Sequence, residues 1–297
     1  MAGTNQSDHV HGKLAIVTGA AVGIGAAYAE SLARAGAKLA ICDVREEVWE
    51  TARSLEKNGT QVRAWQLDVS DAEKVHSMVA ETKEAFGRID ILINNAGIWQ
   101  ASAADDPLDE SLDAYDAVVR SNLKGHYLFG RAVIPHMIEQ RCGGEIVNIA
   151  TDHMVTCGTP WHVCPKLETC PWRDSPRPTG GGDNMDLYDA AKWALNGLLY
   201  TWAKVLAPHR IRVNQFCMGA TDSHMLRSFH GFNPSKEELA SWMSAKDNAR
   251  ALMDLLQEGP TGRNASNINF CVGRPVALEP PLPHRYVTAQ QVQLQHA

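Results

Sequence analysis

"KLAIVTGAAVGIGAAYAESLARAGAKLAICDV" spans Lys13 to Val44, and its pattern decides the architecture. An apolar run ends at Gly19, a stretch of helical periodicity closes at Gly36, and a second apolar run ends at Asp43. Neither run alternates polar with apolar, as expected of parallel strands covered on both faces. The segment therefore reads as a β-α-β unit. Gly19, Gly23 and Gly25 lie between its first strand and its helix, spaced Gly-x-x-x-Gly-x-Gly. Glycines there let the main chain approach a pyrophosphate, whose charge is met by amides near Val22 and Ile24 at the helix N-terminus. A purely structural turn explains the glycines equally well if they are taken alone.

The alternation continues outward. Helices are predicted at 45–58, 71–86, 111–140 and 187–207, and strands at 61–69, 89–97, 144–150, 210–217 and 267–273. Strict alternation of this kind predicts one α/β domain: a Rossmann-like, doubly wound parallel sheet of about seven strands with helices on both faces. Its expected bounds are residues 12–275. Residues 1–11 read as a flexible tail and 276–297, with "EPPLPHRY", as an extended one. Residues 152–186 break the rhythm as an inserted loop.

The net charge of −6 over 297 residues, with scattered Lys and Arg, argues against nucleic acid or an anionic membrane as partner. No apolar run approaches the eighteen or so residues of a membrane span. The first residues are polar and lack the core of a secretory signal, and the seven cysteines are an odd number. A reduced, cytoplasmic protein is the expectation.

Tyr188 and Lys192 lie four apart on a predicted helix and so share a face. A phenol near pKa 10 is a poor base at pH 7. A cation within about 4–6 Å lowers such a pKa by roughly 1–3 units, which makes the phenol usable in proton transfer.

With these features in order, the chain resembles the short-chain dehydrogenase/reductase family over roughly residues 12–275. The resemblance rests on "TGAAVGIG", Asp43 after the second strand, "LDV" with Asp68 and Val69, and "NNAG" with Asn95, Ala96 and Gly97. It extends through Asn122 in "SNLKG", "YDAAK" at Tyr188–Lys192, and "IRVN". It implies hydride transfer between a nicotinamide cofactor and an alcohol or ketone. By the same resemblance Tyr188 is the general acid/base, and Lys192 holds the nicotinamide ribose and depresses the tyrosine pKa. Asn122 positions a water in the proton relay through Lys192, serves as a helix-kink residue that satisfies backbone groups, or does both. Asn95 lies beside the cofactor, partly as a hydrogen bonder between strands. Gly219 and Ser223 match cofactor contacts after the sixth strand, although Met218 stands where the family has proline. The usual catalytic serine is Thr151 here, which keeps the hydroxyl donor and acceptor. Asp43 faces the adenosine ribose and would repel a 2′-phosphate, so NAD is expected over NADP, with Arg45 the one dissenting side chain.

The inserted loop leaves beside Thr151 and returns beside Tyr188, so it should wall the active-site mouth. Its His153, Trp161, His162, Cys164 and Trp172 offer ring and apolar surface, or simply pack the loop. Cys157, Cys164 and Cys170 do not match a zinc spacing, and no metal is expected. Trp99, His153, Trp193 and Met225 are candidate substrate contacts. Phe229, Phe232 and Trp242 in a mobile 222–245 segment either close on the ligand or pack helices. The substrate expected is an apolar cyclic or aromatic secondary alcohol and its ketone, in a homodimer or homotetramer. A non-redox relative (epimerase or lyase) and a dinucleotide-sensing protein are the alternatives. The full acid/base set argues against the second, and absorbance at 340 nm with a panel of cyclic alcohols separates all three.

Overall fold

The computed structural model describes residues 9–155, 184–270, 272–273 and 275–278. Seven strands form one sheet: β1 (Leu14–Thr18), β2 (Lys38–Asp43), β3 (Val62–Gln66), β4 (Ile91–Asn94), β5 (Gly144–Thr151), β6 (Ile211–Met218) and β7 (Ser266–Phe270). All pair in parallel, in the order β3-β2-β1-β4-β5-β6-β7. The helices are α1 (Gly23–Arg34), α2 (Val48–Lys57), α3 (Ala72–Phe86), α4 (Leu108–Val119), α5 (Gly125–Gln140), α6 (Asp186–Leu206), α7 (His224–Phe229), α8 (Lys236–Ser241) and α9 (Ala245–Gln257). None of them is long and apolar enough to cross a membrane.

The uninterrupted apolar strands are explained by what covers them. Ala15 and Val17 of β1 face a cluster with Tyr28 and Leu32 of α1 and Leu252 and Leu255 of α9. Leu14 and Ile16 face the other way, toward Phe129 and Val133 of α5 and Leu199 and Trp202 of α6. Both faces are buried, so alternation would expose nothing to water and is absent. The strand order reverses between β1 and β4, and ligands of such sheets bind in the crevice beyond the strand ends at that point. At the opposite end a buried clamp ties β5 to β6. Arg212 donates to Glu145 at 2.9 Å and to the carbonyls of Arg263 and Leu255. Burial pushes the Glu145 carboxyl up to about 7 against the opposing pull of Arg212.

Several elements differ from the sequence reading. The single helix expected over 111–140 begins at Leu108 and is interrupted by a π turn, Arg120–Lys124, which carries Asn122. Gly125 follows because a Cβ there would come within 2.6 Å of Val69 Cγ2. Helix α9 was not expected, although Ala249, Leu252, Leu255 and Leu256 keep a helical period and Ser244 caps it by accepting from the Asp247 amide. Val10 is 1 % exposed in the core and Gly12 donates to the Gly36 carbonyl, so Val10, placed in the tail, belongs to the body. At the other end Val276 is buried and Leu278 packs on the same cluster, so residues placed in the tail still belong to the body.

Candidate active site

A cavity of about 1100 Å³ runs along the crevice at the strand ends, at or above the upper range of about 300–1,000 Å³ common for ligand pockets. One half is built by the glycine turn. Gly19 and Gly23 hold φ of 65° and 62°, a region that glycine enters without the steric penalty of a Cβ. At Gly19 a Cβ would sit 2.8 Å from Ala96 Cα, and at Gly25 it would press into the Gly19 carbonyl oxygen. Thr18 Oγ1 accepts from the amides of Asn95 and Ala96, while Asn95 Nδ2 donates to the carbonyls of Thr18 and Gly19, all at 3.0 Å. Asn95 thus locks β1 to β4 beneath the turn. The groove is the kind of close-approach cradle that a dinucleotide pyrophosphate requires, and these residues fit that group.

Further along, Asp43 accepts from the Ala21 and Arg45 amides at 2.9 and 3.0 Å. Arg45 ion-pairs with Glu47 at 2.5 Å and donates to His224 Nε2 at 2.8 Å, so that nitrogen must be the unprotonated one. Asp68 accepts from the Ser70 amide, and Val69 completes the wall with Leu67.

The reacting half lies where β5 ends and α6 begins. Thr151 is the last residue of β5 and is 4 % exposed. Its Oγ1 donates to Asp152 and accepts from the His153 amide, both at 3.4 Å. Lys192 Nζ donates to the Ile149 carbonyl at 2.7 Å and stands 5.8 Å from the centre of the Tyr188 ring. Burial pulls the lysine down to about 8. The Tyr188 phenol is not depressed as the family resemblance implied. Burial, then the carboxylates of Asp189 and Asp152, push it upward. The lysine charge is itself desolvated and aimed at a carbonyl, whereas the two acids sit next to the predicted hydroxyls in sequence. Behind this floor His126 is wholly buried, and burial, then the lysine charge, hold it neutral.

His153, on a 3-10 turn after β5, has Nδ1 2.7 Å from Asp189 Oδ1. Burial works against its charge, but the Asp189 bond and the Asp189 and Asp152 carboxylates outweigh it, and its pKa is raised. Across the cavity the Trp99 ring meets Phe229 edge-on at 4.3 Å between centroids.

Of the expected site residues, the cavity gathers Gly19, Val22, Gly23, Ile24, Gly25, Asp43, Asp68, Val69, Asn95, Ala96, Gly97, Thr151, Tyr188, Lys192, Gly219 and Ser223. Trp99, His153 and Met225 line it too. Ser223 spends its hydroxyl capping α7 at the Leu226 amide. Trp193 is a correction: it is 40 % exposed and not in the wall, because one helical step from buried Lys192 turns a side chain to the outer face. Asn122 is 0 % exposed and pairs both ways with the Ile98 main chain at 2.8 Å, behind the wall rather than in it. Of the three aromatics of 222–245 only Phe229 lines the cavity, while Phe232 and Trp242 stack on His224 and His230. Trp161, His162, Cys164, Trp172, Cys157 and Cys170 lie outside the described residues, among which no group of three His, Cys, Asp or Glu is placed to hold a metal. The sequence reading missed Asp152, Asp189 and the Arg45–Glu47–His224 set. The signal for the two acids was their place directly after Thr151 and Tyr188.

Comparison with known proteins agrees with this geometry. Residues 13–158 match the short chain dehydrogenase family model, and 177–252 match the enoyl-(acyl carrier protein) reductase model. A trans-4-hydroxycyclohexanecarboxylate dehydrogenase of Sinomonas cyclohexanicum is 31 % identical over 74 % of this chain and 76 % of its own. The crystal structure of levodione reductase superposes with a TM-score of 0.71 at 28 % identity, covering 88 % of this chain and 96 % of that one. A short chain dehydrogenase from Burkholderia cenocepacia, in complex with NADP, gives 0.69 at 28 % identity, covering 89 % and 98 %. A Rossmann-type sheet, a glycine cradle and a Tyr/Lys pair in one crevice thus coincide with these matches, and the chain belongs to the short-chain dehydrogenase/reductase family of NAD(P)-dependent alcohol dehydrogenases and ketone reductases.

Proposed function

We propose that this protein interconverts an apolar cyclic or aromatic secondary alcohol and its ketone with NAD, Tyr188 serving as general acid/base. The observation that carries the reading is the Tyr188 ring 5.8 Å from Lys192 Nζ in the same cavity as Thr151 and the glycine turn. Gly19, Gly23, Gly25 and Gly97 would hold the dinucleotide, which would supply the hydride acceptor or donor. Thr151 holds the substrate oxygen by its hydroxyl. The Tyr188 phenol gives that oxygen a proton during reduction and takes it back during oxidation. Lys192 sits behind the phenol to pass the proton on, and Asn122 acts indirectly by fixing the Ile98 main chain. Burial, then the Asp189 and Asp152 carboxylates, keep the phenol in its proton-bearing form, ready to donate during reduction.

NAD is favoured because Asp43 presents a carboxylate at the ribose end, and because the Arg45 charge is already met by Glu47. The Trp99–Phe229 wall with Met225 favours a ring-bearing substrate, as does the hydroxycyclohexane named for the relative above. Exposed Leu108, Leu112 and Tyr115 on α4, with Trp193 and Tyr200 on α6, support a homodimer or homotetramer through these helices. Buried unpaired Cys42 and Cys217 fit a reducing cytoplasm.

The test is absorbance at 340 nm with NADH or NADPH and a panel of cyclic ketones. Turnover should be faster with NADH, and Tyr188→Phe should lower kcat at least about 100-fold with dinucleotide affinity nearly unchanged. Retained turnover in that variant would remove Tyr188 from the chemistry.

A further inference from the structure

His153 does more than the pinning of two elements requires. Its Nδ1 is spent on Asp189, so that nitrogen carries the proton and the carboxylate accepts. This bond ties the turn after β5 to the first turn of α6, and the ring lies edge-on to Tyr188 at 6.4 Å between centroids. The other nitrogen, Nε2, is 3.9 Å from Asp152 Oδ1, beyond hydrogen-bond reach, and has no other partner among the described residues. The side chain is 20 % exposed and lines the same cavity as Thr151 and Tyr188. A purely structural pin accounts for Nδ1, while Nε2 is left unpaired among the described residues on a side chain that lines the cavity. Elsewhere in the same wall the Trp99 and Phe229 rings, with Met225, offer surface for hydrocarbon.

We propose that His153, oriented by Asp189, binds a second oxygen of the substrate, on the carbon next to the reacting carbon. The substrate class is then a ring-bearing hydroxy ketone, or the matching diol, rather than a monofunctional alcohol. Nε2 accepts from a hydroxyl when the ring is neutral and donates to an oxygen when it is protonated, so a hydroxyl suits both forms. A site built to pair with such an oxygen rejects the analogue lacking it, because its own polar group then stays unpaired in the closed complex. The inference rests on the ketone reductase reading above, and His153 acts here as a specificity-determining residue rather than in proton transfer.

The experiment compares kcat/KM for 2-hydroxycyclohexanone against cyclohexanone, and for cyclohexane-1,2-diol against cyclohexanol. It uses the full chain, its His153→Leu variant and its His153→Gln variant, each first shown by fluorescence titration to bind dinucleotide. The wild-type ratio should favour the dioxygenated compound by at least about tenfold. In His153→Leu it should fall to about one, and His153→Gln, which keeps a donor and an acceptor, should recover part of it. A wild-type ratio near one, or an equal ratio in wild type and His153→Leu, overturns the inference while turnover of cyclohexanone leaves the parent reading standing. A structural pin would slow both substrates alike and leave the ratio unchanged. No turnover of any of the four compounds with either dinucleotide overturns the parent reading and this inference with it.

Discussion

Replacing Lys192 by Met should make the protein more stable and much less active, and the stability gain should vanish with rising pH. Lys192 is 3 % exposed, and burial lowers its amine from 10.5 to about 8. At pH 7 the folded chain therefore holds a charge that the unfolded chain holds more easily. A fall of about 2.5 in pKa corresponds to about 3 kcal/mol of destabilisation. Met fills a similar volume without charge but loses the Nζ bond to the Ile149 carbonyl, worth about 1.5 kcal/mol. The net expectation at pH 7 is a gain of about 1.5 kcal/mol. Because the folded pKa is depressed, the folded lysine releases its proton near pH 8 whereas the unfolded one keeps it to about 10.5. The wild type thus becomes more stable as pH rises through that window, and the difference should shift toward it by about 2 kcal/mol between pH 7 and 9.5, which removes the gain. Urea unfolding followed by tryptophan fluorescence at the two pH values measures it, alongside kcat, which should drop at least about 100-fold. A gap that stays constant between the two pH values refutes the argument, since only the buried charge makes it pH-dependent.

Three further substitutions probe the cradle, an exposed helix position and the clamp. Gly25→Ala drives a Cβ into the Gly19 carbonyl and within 2.6 Å of Asn95 Nδ2. It should cost about 1–3 kcal/mol and lower dinucleotide affinity at least about tenfold by titration. Gly197→Ala, with nothing within 4 Å in α6, should instead raise stability by about 0.5–1 kcal/mol. Arg212→Met leaves Glu145 buried without its partner and should cost about 3–5 kcal/mol in urea unfolding at pH 8. That loss should shrink as pH falls and the carboxyl takes up a proton, and the double variant Glu145→Met/Arg212→Met should recover most of it. An equal loss at pH 5.5 and pH 8 would mean that the pair is not what the substitution breaks.

The sheet was legible because it depends on a local pattern. Each parallel strand is buried on both faces, so Leu14 to Val17 and Leu39 to Cys42 had to be apolar throughout, and glycine at 19, 23 and 25 had to admit backbone contacts that a Cβ would block. The Tyr188/Lys192 pair was legible for a similar reason, since four residues on a helix define one face. The same regularity misled at Trp193, where neighbouring positions in sequence turn to different faces of α6. Periodicity did not show the π turn around Asn122, which only the family resemblance marked as a kink, because a π turn inserts a residue into a helix without needing a breaker. Helix α9 was readable from its apolar spacing but lay in a stretch taken for a mobile segment and the approach to the last strand.

What the sequence by itself determined was the order of strands and helices and the residue types at the crevice. Tertiary structure alone decided how the charges there meet. Asp189 pairs with His153 across 36 positions, Arg45 with Glu47 and with His224 across 179, and Lys192 turns to a carbonyl of β5 instead of lowering the tyrosine. Periodicity reports which side of an element is buried, but a pKa depends on distances between groups on different elements, and those exist only once the elements have packed.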